Sequence, residues 1–402
     1  IMFPSLSQNE IELLSGLRGN DNEKEAALQK LFDRLVFADQ TLFDDYQITA
    51  TCLSLASILQ ESVSTNVLNL TLQCINSLLA LHFAAGFLFL RMGILERINH
   101  LLKQTNSSDV ASNCLHILTF FSQDTPSPVA NSVDIRELFN YFPNFSKMDQ
   151  RECITLISTL LQDLPITSIA LILPKIISIL FDNDPVIRVK SLAIFSYIIT
   201  KIPGVKVSEQ AIAFISSQLD STPPLETFSM LIQILESFSK TPENLPGVSK
   251  YLPDLSSLLF TYDDAKCEAC ALQIIQALLP QPPLPKELWP NQTNLQLLSI
   301  DDISTTILPI LDIYLSEKQR NIRLSLILLA TCSTLAENFS CDLQLINLFI
   351  HHSQNEELAP YILAITSTIS SKQDVVRNGL LQKLSSVTFP PPLRSWSQKI
   401  LA

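Results

Sequence analysis

The feature that most narrows the choice of fold is a recurring unit: an apolar helix, often ending in Leu-Leu, then a short polar turn holding Asp, Asn or Pro, then a second amphipathic helix. One copy runs from Leu95 to Leu102, turns over 105–109 and continues from Val110 to Phe121. Others are Leu173 to Leu180 with Val186 to Ile199, Tyr251 to Leu259 with Ala265 to Leu279, and Leu308 to Leu315 with Ile322 to Ala336. Weaker copies begin near Asp21, Ser64 and Pro223. The turns recur roughly every 40 residues, the period of HEAT and armadillo units. A unit of this size cannot bury its apolar stripe alone, so the pattern predicts an all-α solenoid in which each helix pair packs on the next. Asp21, Thr65, Asp109, Asp149 and Asp184 are expected to cap the second helices, because such side chains accept hydrogen bonds from unpaired first-turn N–H groups. Prolines at 126, 165, 203 and 242 are expected to stop helices.

Glycine supports this reading. The chain has 7 in 402 residues, where average usage of about 7% would give roughly 28. Phosphate-cradling loops and tight hairpins both need glycine, so a P-loop, a Rossmann fold and a hairpin-rich β domain are disfavoured. Four of the seven, Gly16, Gly93, Gly204 and Gly247, fall at or near expected helix ends, where a left-handed cap calls for glycine.

With 47% hydrophobic and 16% charged residues the chain has enough apolar material to fold and too little charge to be disordered. The net charge is −12 and no run of five basic residues occurs, which argues against nucleic acid as a partner. The longest apolar stretches are interrupted by His82 and Arg91, or by Pro174 and Lys175, so no membrane span is expected. The opening Ile1-Met2-Phe3-Pro4-Ser5 lacks the basic and apolar regions of a signal peptide, and a first residue other than Met suggests an excerpt from a longer chain. Eight cysteines, mostly inside apolar helical patterns, read as buried free thiols of a reducing compartment, hence the cytoplasm or nucleus.

Chemistry-bearing patterns are sparse. Cys267-Glu-Ala-Cys270 has neither a second ligand pair for zinc nor a βαβ context for redox work, and reads as two core residues on one helix face. The pair His351-His352 lacks the i, i+4 spacing of a zincin. Cys332 sits in an apolar helix, and the acidic pairs Asp44-Asp45, Asp263-Asp264 and Asp301-Asp302 fall at turns or helix starts, where capping explains them. No catalytic residue, metal ligand or cofactor site is assigned, and none of these groups meets the requirements of an active site.

What remains is the groove lined by successive second helices. Armadillo peptide receptors such as nuclear-import adaptors place Trp and Asn at fixed points there. Aligning Val67 and Val110 with the start of that helix puts Gln73, Ser77, His116 and Phe120 at those points, and these four are the candidate groove residues. Trp289 and Trp396 lie near prolines outside the repeats, so a receptor for nuclear-localisation signals is disfavoured while a protein-binding groove of other chemistry stays open.

The order of segments resembles one family, the armadillo-like N-terminal region of HECT ubiquitin ligases of the ubiquitin-fusion-degradation type, including the plant KAKTUS branch. The resemblance is carried by Leu13-Leu14-Ser15-Gly16-Leu17 with 25–31, by Leu68 to Leu81, Gly93-Ile94-Leu95 and Asp109 to Ser122, by Phe142 to Leu164, and by Leu278-Leu279-Pro280 through Leu284-Pro285. It implies a scaffold that recognises a substrate degron, ubiquitin, or both, upstream of a catalytic HECT domain that these residues do not include, so Cys332 is not carried over as the catalytic cysteine. The alternative is a free-standing armadillo/HEAT adaptor in trafficking or complex assembly. The expected organisation is a repeat array over 1–280, a proline-rich linker, loop or hinge over 281–300, and helical repeats continuing the solenoid over 301–402.

Overall fold

A computed structural model describes residues 7–37, 45–289, 297–336 and 339–402. The opening Ile1 to Ser5, Asp44 and the end of the proline-rich segment at Pro290 lie outside the described residues. The chain divides into two compact units, 1–198 and 199–402.

The first unit holds α1 (Gln8–Gly16), α2 (Asp21–Val36), α3 (Asp45–Ile58), α4 (Thr65–Leu81), α5 (Phe83–Arg91), α6 (Ile94–Gln104), α7 (Ser108–Asp124), α8 (Pro126–Ser132), α9 (Ile135–Asn140), α10 (Lys147–Leu160) and α11 (Ile166–Ile179), with α12 (Pro185–Lys201) crossing the division. Its second helices pack in sequence, α2 on α4, α4 on α7 and α7 on α10, while α1, α3 and α5 form the neighbouring row. Each helix therefore buries one stripe against its pair-mate and another against the next repeat. The fully buried stripe of α4 (Val67, Thr71, Leu72, Cys74, Ile75, Leu78) and that of α7 (Val110, Ala111, Cys114, Leu115, Ile117, Leu118) follow the helical period.

The second unit holds α13 (Glu209–Asp220), α14 (Leu225–Ser239), α15 (Leu245–Ser249), α16 (Leu252–Thr261), α17 (Ala265–Leu278), α18 (Ile300–Asp302), α19 (Leu308–Lys318), α20 (Ile322–Ala336), α21 (Leu343–His352), α22 (Ala359–Thr368), α23 (Asp374–Leu384) and α24 (Arg394–Leu401). The row here is α14, α17, α20 and α22, with α16 and α19 pairing to α17 and α20. Each unit is thus an all-α stack of helix pairs of the armadillo/HEAT type. No strand occurs among the described residues beyond a single bridge between Phe339 and Ile369.

Helix starts differ from the sequence expectation in an instructive way. The capping side chains are Asn20, Ser64, Ser107 and Ser146, each accepting from the backbone N–H three residues on. Asp21, Thr65, Asp109 and Asp149 fall inside the first turn instead, where the three aspartates meet the positive end of the helix dipole. Asp184 does cap, accepting from Val186 and Ile187 N–H. Asp21 and Asp149, released from capping, face a neighbouring repeat: Asp21 accepts from the Ser64 N–H at 2.9 Å and Asp149 from Ser112 Oγ at 3.0 Å. Similarly, of the four glycines expected at helix ends only Gly93 and Gly204 adopt the left-handed region, at φ 73° and 79°. Gly16 and Gly247 lie within helices and serve close approach, since a Cβ would sit 2.9 Å from Ala27 Cβ and 2.7 Å from Ile212 Cδ1.

The proline-rich segment lies inside the second unit, not at the division between units. Its described part bends at 283–284 and turns at 286–288, where Leu288 N donates to Pro285 O at 2.9 Å and Trp289 N to Lys286 O at 3.2 Å; Pro282, Leu288 and Trp289 are buried, and α17 and α20 on either side of the segment pack together.

Candidate functional site

Successive second helices in the first unit bring polar side chains together at offsets of about one repeat. On α4, Asn69, Gln73 and Asn76 share a face at i, i+4 and i+7; on α7, Asp109, Ser112, Asn113 and His116 do the same; on α10, Asp149 and Glu152 are three apart. Asn113 Nδ2 donates to Asn69 Oδ1 at 2.8 Å, and Asn76 Nδ2 donates to Asn113 O at 3.1 Å and Oδ1 at 3.2 Å. One step along, Ser112 Oγ donates to Asp149 Oδ2 at 3.0 Å. His116 Nε2 lies 3.0 Å from Asp149 Oδ1 and 3.4 Å from Glu152 Oε2. Arg151 on the same helix continues the row by donating to Asp184 at 2.8 Å.

Asn69, Gln73, Ser112, Asn113, His116 and Asp149 line one recess together with Asn144 to Ser146, while Asn76 and Glu152 lie outside its lining. Burial raises the Asp149 carboxyl, but hydrogen bonds from His116, Ser146 and Ser112 outweigh it and hold it below the usual carboxylate range. Asp184 is held low by the hydrogen bond from Arg151. The recess is therefore a fixed array of amides, a hydroxyl and anionic oxygens, half-exposed to solvent.

Of the four sequence-predicted groove residues, Gln73 and His116 both line this recess. Phe120 faces a different, apolar recess with Phe83, Gly86, Phe87, Leu90 and Phe121. There Phe83 and Phe87 stack edge to face at 5.2 Å and remain 66% and 60% exposed, so the patch is open. Ser77 is half-buried on α4 and lines neither recess. Sequence reasoning missed the asparagine set and Asp149. Asn69, Asn76 and Asn113 could have been found as polar positions breaking the apolar faces of α4 and α7, at separations of 37 and 44 residues.

The cysteine candidates lie in or against the core, whereas His351 is exposed and His352 half-buried. Cys267 is buried and Cys270 half-buried, with burial pushing both thiols up to about 11. Cys332 is fully buried, its thiol raised by burial well above the ordinary range. All eight cysteines are free. The rings of His351 and His352 meet edge on at 4.8 Å, and burial followed by the neighbouring His351 lowers the His352 imidazole. Among the described residues, the groups of three or more side chains close enough to share an ion reduce to His116, Asp149 and Glu152, whose candidate ligand atoms lie within 4.8 Å of one another. No described helix is long and apolar enough to cross a membrane.

The second unit carries a polar cluster of a different kind. Glu268 on α17 is wholly buried, accepting from Tyr314 Oη at 2.8 Å and from Arg320 Nη2 at 3.0 Å, with Lys318 Nζ at 3.8 Å. Asn321 donates to Tyr314 Oη and to the Ala265 carbonyl, both at 3.1 Å. Gln319 and Asn321 adopt the left-handed region at φ 49° and 47° to make this turn.

No family model matches the chain, and no curated protein matches it. Among solved structures it is similar to a designed armadillo repeat protein, at 13% identity and a TM-score of 0.32, over 66% of this chain and 98% of that one. The assignment to the armadillo/HEAT type rests on the helix pairing within each unit.

Proposed function

We propose that the chain is a non-catalytic protein-binding scaffold, and that the α4, α7 and α10 row is its principal binding surface. The observation that carries this is the recess itself, where amide, hydroxyl and carboxylate groups from three repeats line one half-exposed cleft. An extended segment presents a backbone N–H and C=O at each residue, and side-chain amides such as Gln73, beside the Asn69–Asn113 pair, can bond to them. The carboxylates of Asp109 and Asp149 favour a partner carrying basic residues there.

More specifically, we read this scaffold as the substrate- or ubiquitin-recognising region of a HECT-type ubiquitin ligase, acting in ubiquitination and proteasomal degradation in the cytoplasm or nucleus. Support comes from the order of segments, from Leu13-Leu14-Ser15-Gly16-Leu17 to Leu284-Pro285, that resembles that family. On this reading ubiquitin transfer through a thioester belongs to a catalytic module outside these residues. The second reading is an adaptor in trafficking or assembly, for which the open Phe83 and Phe87 patch supplies an apolar contact.

Affinity capture with the whole chain and with a Gln73→Ala/Asn113→Ala variant separates these readings. The ligase reading expects ubiquitin conjugates or ubiquitin-pathway enzymes among the proteins that wild type retains and the variant loses. Recovery of coat or transport components alone favours the adaptor, and equal recovery by both chains removes the recess from the account.

A further inference from the structure

The cluster of His116, Asp149 and Glu152 has a chemistry that the scaffold reading does not use. One imidazole nitrogen and two carboxylates converge from α7 and α10, and the three ligand atoms lie within 4.8 Å of one another. A tetrahedral zinc ion with bonds of about 2.0 to 2.1 Å places its ligand atoms about 3.3 Å apart. The His116 Nε2 separations from Asp149 Oδ1 and Glu152 Oε2, 3.0 and 3.4 Å, bracket that edge.

Three further features suit an ion. The Asp149 oxygen that meets His116 is held in place by its twin, since Oδ2 accepts from Ser112 Oγ at 3.0 Å; outer contacts of this kind fix the orientation of a ligating carboxylate. His116 and Asp149 line the recess, which leaves water free to complete the coordination shell. Glu152 is 28% exposed on its side chain, enough freedom to bring its oxygen onto the ion.

We propose that His116, Asp149 and Glu152 form a binding site for a divalent transition metal, with zinc as the representative ion. An imidazole beside two carboxylates suits zinc and its neighbours over calcium or magnesium, which prefer shells made wholly of oxygen. Binding exchanges any proton shared between Nε2 and the carboxylates for the cation. The ion would tie α7 to α10 beside the recess. This site stands whether or not the recess holds a protein, because the readout is the ion alone.

The test is calorimetric titration of zinc chloride into the whole chain stripped of metal, with cobalt(II) absorption as a second measurement of the ligand set. Saturable one-to-one binding in the micromolar range is expected, weakened at least about tenfold in His116→Ala and in Asp149→Asn, and unchanged in a His351→Ala/His352→Ala variant. Circular dichroism melting checks that each variant folds, and Glu152→Gln, which keeps the size of the side chain, replaces either variant that does not. Absence of saturable binding overturns the proposal, as does binding that survives the His116, Asp149 and Glu152 substitutions or that disappears only with His351 and His352.

Discussion

The two units build the same helix-pair stack but dispose of polar side chains in opposite ways. In the first, contacts between second helices run along a half-exposed edge: Asn69 with Asn113, Asn113 with Asn76, Ser112 and His116 with Asp149. In the second, Glu268 is withdrawn completely from solvent and saturated by Tyr314 and Arg320, while the turn between α19 and α20 adopts two left-handed residues to close over it. A buried carboxylate must be fully paired or it costs several kcal/mol, whereas exposed polar pairs contribute little to stability. The contrast teaches that the Glu268 cluster fastens α17 to α19 and to the turn that leads into α20, while the polar edge of α4, α7 and α10 contributes little to stability and is available for binding.

The largest expected effect breaks the second cluster. Glu268→Ala leaves Tyr314 Oη without its buried acceptor and removes the carboxylate beside Arg320, and should lower the unfolding free energy by roughly 3 kcal/mol in urea denaturation. His116→Ala, measured the same way, should cost less than about 1 kcal/mol. If the two values match, the contrast between the units is wrong.

A smaller effect is expected at Asn244, which is buried and ties the 205–207 loop to α14. Its Nδ2 donates to Val205 O at 2.9 Å and Phe238 O at 3.3 Å, and its Oδ1 accepts from Val207 N at 3.0 Å. Asn244→Ala strands those groups and should cost about 2 kcal/mol by thermal or chemical melting.

Asp312 gives a pH-dependent test within the second unit. Burial, with the nearby Asp342 charge adding to it, raises its carboxyl to about 6. The folded chain therefore binds a proton more tightly than the unfolded chain, so ionised Asp312 destabilises the fold above pH 6, and the penalty fades as pH falls through 6 towards the unfolded value near 4. Asp312→Asn should stabilise the protein at pH 7 by on the order of 1 kcal/mol, a gain that shrinks to nothing by about pH 4. A difference from wild type that grows on acidification would contradict the burial of this side chain.

The smallest effect concerns the proline-rich segment as a hinge. Amide exchange over 281–289 faster than over the turn at 316–321 supports that proposal; protection comparable to the turn, as burial of Leu288 and Trp289 would give, counts against it.

Much of the fold was legible because its signal is periodic. The boundaries of α17 and α20 follow from the apolar spacing and from Asp264 and the Ser316 to Asn321 turn, since each depends on residues close in sequence. Capping was read one to three residues late at four helices, because Asn20, Ser64, Ser107 and Ser146 precede acidic or threonine residues that cap equally well on composition alone. The recess was half legible. Gln73 and His116 follow from aligning helix starts, but Asp149 and the Asn69, Asn76 and Asn113 set depend on how far one helix slides along the next, which no local pattern encodes. Phe120 went astray for a similar reason: it is one turn beyond His116, and there α7 has passed from α10 to the apolar patch on α5.

The most direct test of the central claim places a photo-cross-linking residue at Gln73, in the recess, and in a parallel chain at Glu317, an exposed position of the second unit. The account predicts protein adducts at position 73 that are lost when Asn113→Ala is added, and few at position 317. Equal labelling at both positions, or labelling confined to 317, would contradict it.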